Sequence, residues 1–216
     1  DLNGDPLEEA KKIVAQLPKD VIPFALKKKR IAVFASGNGT TLKGLQMKKD
    51  KGRIPNVAFG LFVTDNPEAP AIEVAKELGF ERIEVVPAEE GESKEDYDRK
   101  ILNILREEQP DQILLAGWMR VLSELYCSQY GTQTFNAHPS LLPKFSGLKD
   151  MEVHEKVLDY EEKYSGCTIH KVTAEIDAGE IAVQRKVLVG DVTPEELKAK
   201  VQKQEVLGFC ELLERK

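Results

Sequence analysis

Cysteine is scarce in this chain. Cys127, Cys167 and Cys210 stand far apart, with no Cys-x-x-Cys pair and no Cys/His cluster. That spacing suggests neither a disulfide framework nor a zinc site, so a reducing compartment is expected. Positive charge is not in excess either. The net charge is −6, which argues against a generally basic nucleic-acid surface. A local anion site needs only a few backbone N–H groups and one or two cations, and stays open. No apolar run is long enough to cross a membrane, and no signal-peptide pattern is present. The chain begins at Asp1, so a processed or trimmed start is expected. Neither a complete Walker A nor a complete Gly-x-Gly-x-x-Gly motif occurs. There is no internal repeat and no low-complexity segment.

What is there reads as a globular α/β chain. Its 216 residues, 41% hydrophobic and 31% charged, suffice for one α/β domain or two small ones. Asp5-Pro6-Leu7 has the form of an N-cap and first helical position. Leu7, Ala10, Ile13, Val14 and Leu17 follow at helical spacing, which predicts a helical extension over residues 1–30. From Ile31 strands and helices alternate. Strands are predicted at 31–35, 57–64, 83–86 and 112–116, with helices at 42–49, 67–78 and 94–109. Alternation of this kind gives a mostly parallel, open twisted sheet covered on both faces. Its ligand crevice lies at the carboxyl ends of the strands. Beyond Asn136 the order changes. A helix is predicted over 148–159, two successive strands over 167–172 and 181–189, and a final helix from Thr193-Pro194-Glu195-Glu196 to the C-terminus.

Four segments carry chemistry. Ser36-Gly37-Asn38-Gly39-Thr40-Thr41 links a strand to a helix. It reads either as an anion cradle, with glycine backbone and helix N–H groups facing the ligand, or as glycines kept for turn geometry alone. Ala116-Gly117-Trp118-Met119-Arg120-Val121-Leu122 follows the fourth strand. It offers a flat apolar surface for a ring system, or ordinary core packing. Asn136 and His138 are two apart near the end of a predicted strand and so share a face, and Pro139 stops the strand. An amide beside an imidazole is what a reaction passing through an oxyanion needs. Asp177, in Glu175-Ile176-Asp177-Ala178-Gly179, is either a solvated turn acid or the group that holds the imidazole and raises its basicity. His154 reads as a helix-surface residue, and the Leu142–Pro143 bond as a candidate for the cis form.

Taken together, from Ile31 to the C-terminus, these segments resemble the phosphoribosylglycinamide formyltransferase family. Asn136-Ala137-His138-Pro139-Ser140-Leu141-Leu142-Pro143-Lys144 is the most specific part of the match. The resemblance implies a formyltransferase domain over 31–216, with a phosphate and nucleotide half at 31–130 and a folate and catalytic half at 131–216. It implies a Rossmann-like sheet of about seven strands. It implies transfer of a formyl group from 10-formyltetrahydrofolate to the amine of glycinamide ribonucleotide, directly, without metal or covalent enzyme intermediate. Asn136 and protonated His138 would stabilise the oxyanion, and Asp177 would favour the imidazolium and position a proton-carrying water. Gly37, Asn38, Gly39, Thr40, Thr41, Gln202 and Glu205 would bind the amine substrate. Lys94, Met119, Arg120, Val121, Leu122, Asn136, Thr173, Ala174, Glu175, Ile176 and Asp177 would bind the folate. His170 would lie just behind the site. Nucleic acid and membrane are not expected partners. A monomer or homodimer in the cytoplasm is expected, with an organelle such as a plastid as the alternative.

Some residues depart from the family pattern. Thr41 stands where Asn is usual, Lys94 where Arg is frequent, and Ala174 where an acid is frequent. The loop around Lys149 is longer than the common bacterial form. Three other readings stay open. A transfer-RNA formyltransferase would need a basic C-terminal RNA-binding domain, whereas this chain is acidic and ends soon after the catalytic half. A formyltetrahydrofolate deformylase usually carries a regulatory domain in front, which thirty residues cannot form. A non-catalytic nucleotide-binding homologue would keep the fold without turnover.

Overall fold

The computed structural model describes residues 28–215; the helix expected before residue 28 lies outside them. The strands are β1 (Lys29–Phe34), β2 (Val57–Thr64), β3 (Arg82–Val85), β4 (Gln112–Leu115), β5 (Thr134–His138), β6 (Tyr164–Lys171) and β7 (Ile181–Leu188). They form one sheet in the order β3-β2-β1-β4-β5-β6-β7. The first five are parallel, and β6 and β7 join antiparallel. The helices are α1 (Thr40–Asp50), α2 (Ala71–Glu77), α3 (Lys94–Glu108), α4 (Glu124–Tyr130), α5 (Met151–Asp159) and α6 (Pro194–Glu214).

Alternation along the central strands divides the core in two. Ile31 and Val33 of β1 point to the side of α1, α2 and α6, with Leu42, Leu45, Val206 and Phe209. Ala32 and Phe34 point to the side of α3 and α4, with Tyr97, Ile101, Leu105 and Tyr126. Strands buried on both faces read as continuous apolar runs, as in a parallel sheet packed between helix layers. α6 is the longest helix. Its start is fixed by a capping box in which the Thr193 hydroxyl accepts from Glu196 N–H and the Glu196 carboxylate accepts from Thr193 N–H.

Several boundaries differ from the sequence expectation. α2 begins at Ala71 rather than at Pro67, because Asn66 folds residues 66–69 into a turn: its side-chain oxygen accepts from Glu68 N–H and its carbonyl from Ala69 N–H. α5 begins at Met151 rather than at Leu148, because Gly147 and Asp150 take φ of +80° and +47°. α4 was not expected at all. It has seven residues and buries little of its own surface. Its signal is Ser123, whose hydroxyl accepts from Tyr126 N–H while its own N–H donates to the buried Asp98 carboxylate at 2.6 Å.

Candidate active site

The carboxyl ends of β1, β4 and β5 open into a single cleft of about 350 Å³. At β1 the chain leaves through Ser36. The Ser36 hydroxyl accepts from Met119 N–H at 3.1 Å, and its N–H donates to the Gly117 carbonyl. This ties the loop after β1 to the loop after β4. Gly39 then caps α1 with φ +70°, and no side chain caps the helix. The first N–H groups of α1 are therefore free of side-chain acceptors, and Gly37, Asn38, Gly39, Thr40 and Thr41 line the cleft.

Across from them, Met119, Arg120, Val121 and Leu122 form a second wall. Met119 is 50% exposed, and Ile176, from the opposite loop, is 49% exposed. Two large apolar side chains bared in one cleft offer contact surface for a planar ring. Arg120 is stacked on the Tyr97 ring, 3.9 Å from its centre. Trp118 lies mostly in the core, packed on Phe34 with ring centres 5.3 Å apart. Its indole N–H is buried without a partner among the described residues.

The centre of the cleft is the end of β5. Asn136 and His138 share a face there, and both line the cavity. The antiparallel pairing sets Asn136 opposite His170 and His138 opposite Thr168. His170 Nδ1 is 2.9 Å from the Lys171 carbonyl, which can only accept, so this nitrogen carries a proton. In the neutral ring Nε2 then accepts from the Asn136 amide at 3.2 Å. The second proton of that amide is left for a ligand. Asp177, in the loop between β6 and β7, sits at φ +56° and sends its carboxylate back into the site. Its Oδ2 is 3.2 Å from His138 Nδ1 and accepts from Gly147 N–H at 2.8 Å, and its Oδ1 is 3.5 Å from His170 Nε2. The turn behind Asp177 is tight, since a Cβ on Gly179 would stand 1.8 Å from the Lys171 carbonyl oxygen.

Burial lowers the His138 pKa below its ordinary value of 6.5, although Asp177 and the Phe145 carbonyl both act to raise it. Burial pushes the Asp177 carboxyl up, but the His170 ring 3.5 Å away, the Gly147 hydrogen bond and the His138 ring more than reverse this, leaving it below the usual carboxylate range. Burial thus favours the neutral His138 ring before substrates bind, while Asp177 beside it favours the charged form. His138 Nε2 faces the Phe145 carbonyl at 3.1 Å. Both ring nitrogens therefore look at oxygens, a geometry that rewards the ring as soon as it gains a proton.

The segment from Pro139 to Lys144 is held by residues that sequence reading did not single out. The Thr168 hydroxyl donates to the Ser140 carbonyl at 2.7 Å and accepts from Leu142 N–H. The Gln184 amide donates to the Leu142 carbonyl, and the Leu142–Pro143 bond is cis. Thr168 could have been found, because it is two residues from His170 on the same strand.

Gln202 and Glu205 of α6 line the cleft, as do Thr173, Glu175 and Ile176. Lys94 and Ala174 are not among the lining residues: Lys94 opens α3, and Ala174 is exposed beside the cleft loop. His154 is not a surface residue. It is 1% exposed, its Nδ1 is unpartnered among the described residues, and its ring borders the cleft. Burial, aided by the Lys198 charge, drives its pKa down to about 4.

An open α/β sheet with an amide, an imidazole and a carboxylate meeting at its strand ends is the frame of an enzyme whose reaction passes through an oxyanion. Residues 29–213 match the family described as Formyl transferase. Phosphoribosylglycinamide formyltransferase of Escherichia coli is 34% identical over 81% of this chain and 81% of its own length. The trifunctional purine biosynthetic protein adenosine-3 of Drosophila melanogaster is 33% identical over 90% of this chain, which spans 14% of that protein. Glycinamide ribonucleotide transformylase 1 of Symbiobacterium toebii superposes with a TM-score of 0.78 at 31% identity, over 87% of this chain and 86% of that one. The chain belongs to the phosphoribosylglycinamide formyltransferase family of formyl transferases.

Proposed function

We propose that this chain transfers a formyl group from 10-formyltetrahydrofolate to the primary amine of glycinamide ribonucleotide, a step of purine biosynthesis. The observation that carries this reading is the convergence of Asn136, His138 and Asp177 at one strand end, between an uncapped helix start and an apolar wall. The loop 37–41 holds the phosphate of the amine substrate, and Gln202 and Glu205 hold its ribosyl and amine part. Met119, Arg120, Val121 and Leu122 take the folate ring with residues 173–177. Each substrate is thus held by residues from both parts of the chain, 31–130 and 131–215.

The amine nitrogen attacks the formyl carbon, and the carbonyl oxygen becomes an oxyanion. Asn136 donates the amide proton left over from His170 to that oxygen. His138 exchanges the Phe145 carbonyl for the oxyanion and takes up the proton that the attacking amine sheds, since Asp177 stabilises the imidazolium it becomes until the proton passes on. The amine loses a proton, the C–N bond to the folate breaks, and the departing nitrogen receives that proton. Asp177 anchors the relay, through His138 or a water beside it.

Mixing the protein with glycinamide ribonucleotide and a 10-formyl folate tests this directly by absorbance of the released folate. Release that depends on the amine is expected. No release overturns the reading, and release without the amine assigns the chain to folate deformylation instead.

A further inference from the structure

The α1–α6 contact contains a hydrogen bond to which the reaction above gives no role. Gly44, one turn past Thr41, lies so near Val206 that a Cβ there would stand 2.4 Å from a Val206 methyl. The two helices therefore touch at that point without side-chain thickness on α1. Thr41 and Glu205 flank the contact, and the short Thr41 side chain can reach across. Its hydroxyl donates to Glu205 Oε2 at 3.2 Å. Thr41 is 7% exposed, and both residues line the cleft. Among the described residues the Thr41 hydroxyl is the one hydrogen-bond partner of the Glu205 carboxylate, and Oε1 has none. Carboxylates with a single short tether are held in one rotamer at low entropic cost, with the second oxygen free for a ligand donor.

We propose that Thr41 is a positioning residue for the amine substrate: across the close contact made by Gly44, its hydroxyl fixes Glu205 so that the free carboxylate oxygen accepts a hydroxyl or ammonium proton of that substrate. This rests on the function proposed above. It makes the Thr41 hydroxyl act through Glu205, and leaves the phosphate to the backbone N–H groups of the 37–41 loop. Burial, which pushes the Glu205 carboxyl up to about 7 against the pull of the Thr41 hydrogen bond and Lys198, is consistent with a carboxylate that relies on its hydroxyl partner.

A double-mutant cycle on the full chain separates these roles. Thr41→Val removes the hydroxyl and keeps the shape, Glu205→Gln removes the charge, and Thr41→Ser restores the hydroxyl. The KM for the amine substrate is expected to rise about tenfold in Thr41→Val, the scale of one hydrogen bond to a charged group. The KM for the folate should stay flat and kcat should change little. Thr41→Ser should recover most of the loss. In the Glu205→Gln background, Thr41→Val should cost less than about twofold, because the coupled effect has already been removed. Full additivity would show that Thr41 touches the substrate itself and overturns the inference, as would an unchanged KM in Thr41→Val. Wild-type protein without amine-dependent turnover would sink the proposed function instead, so the two failures are distinguishable.

Discussion

Replacing Asp177 by asparagine is close to a pure deletion of charge. The two contacts made by Oδ2, to Gly147 N–H and to His138 Nδ1, can be kept by the amide oxygen. The amide nitrogen then takes the place of Oδ1, 3.5 Å from His170 Nε2. The fold should survive, with a stability change within about 1 kcal/mol, as expected when hydrogen bonds are preserved. The reaction should not. Carboxylate and imidazolium 3.2 Å apart attract by about 5 kcal/mol at an effective dielectric near 20. That attraction exists only once His138 is charged, which is late in the reaction. The amide dipole recovers part of it, leaving about 3–4 kcal/mol on the barrier, the usual scale for such a group. The kcat of Asp177→Asn should therefore fall about a hundred- to a thousand-fold, with the KM for both substrates nearly unchanged. Asp177 raises the His138 pKa, so its loss should also move the acid limb of the pH profile to lower pH. Steady-state kinetics with a thermal melt measures all three. A variant that melts normally and keeps kcat within about tenfold would refute the reasoning.

Three further outcomes follow from other contacts. His154 goes from 6.5 unfolded to about 4 folded, so its neutral form stabilises the fold above pH 6.5 and this is lost as pH falls toward 4. The cost is about 3 kcal/mol, and His154→Leu should remove that part of the acid sensitivity in urea titrations at pH 7 and pH 4.5. Thr168→Val breaks the bonds to the Ser140 carbonyl and Leu142 N–H. Leaving buried backbone groups unpaired should cost about 2–4 kcal/mol in stability by denaturant unfolding and lower kcat; no change in either would remove the role given to Thr168. Gly179→Ala forces the turn off the Lys171 carbonyl and should lower kcat through displacement of Asp177, with little change in the KM for the amine. A normal kcat would mean the turn does not set that side chain.

The sheet was readable because β1, β2 and β4 bury both faces and so announce themselves as short apolar runs. The pair Asn136/His138 was readable because strand geometry puts positions two apart on one face. What surrounds the pair was less so. The Phe145 carbonyl and Gly147 N–H, which touch His138 and Asp177, are backbone groups and leave no residue signature. His154 was misread because α6, which helps bury it, comes some 40 residues later (Lys198 against His154). Its neighbours Val153 and Val157 in α5 are buried too, and that stripe was the available clue. Burial lowers the His138 pKa, and no local pattern of residues reveals that burial. Lys94 matched a family position by sequence; it opens α3 and is not among the residues lining the cleft.

The central claim is that the cleft carries a formyl group from folate nitrogen to the substrate amine. Isotope transfer tests it most directly: 10-formyltetrahydrofolate labelled at the formyl carbon, with glycinamide ribonucleotide and catalytic protein, analysed by mass spectrometry. The label should appear in the N-formyl product in equal amount to the folate released, and Asn136→Ala should slow both together. Label recovered as free formate, or remaining on the folate, would contradict the account.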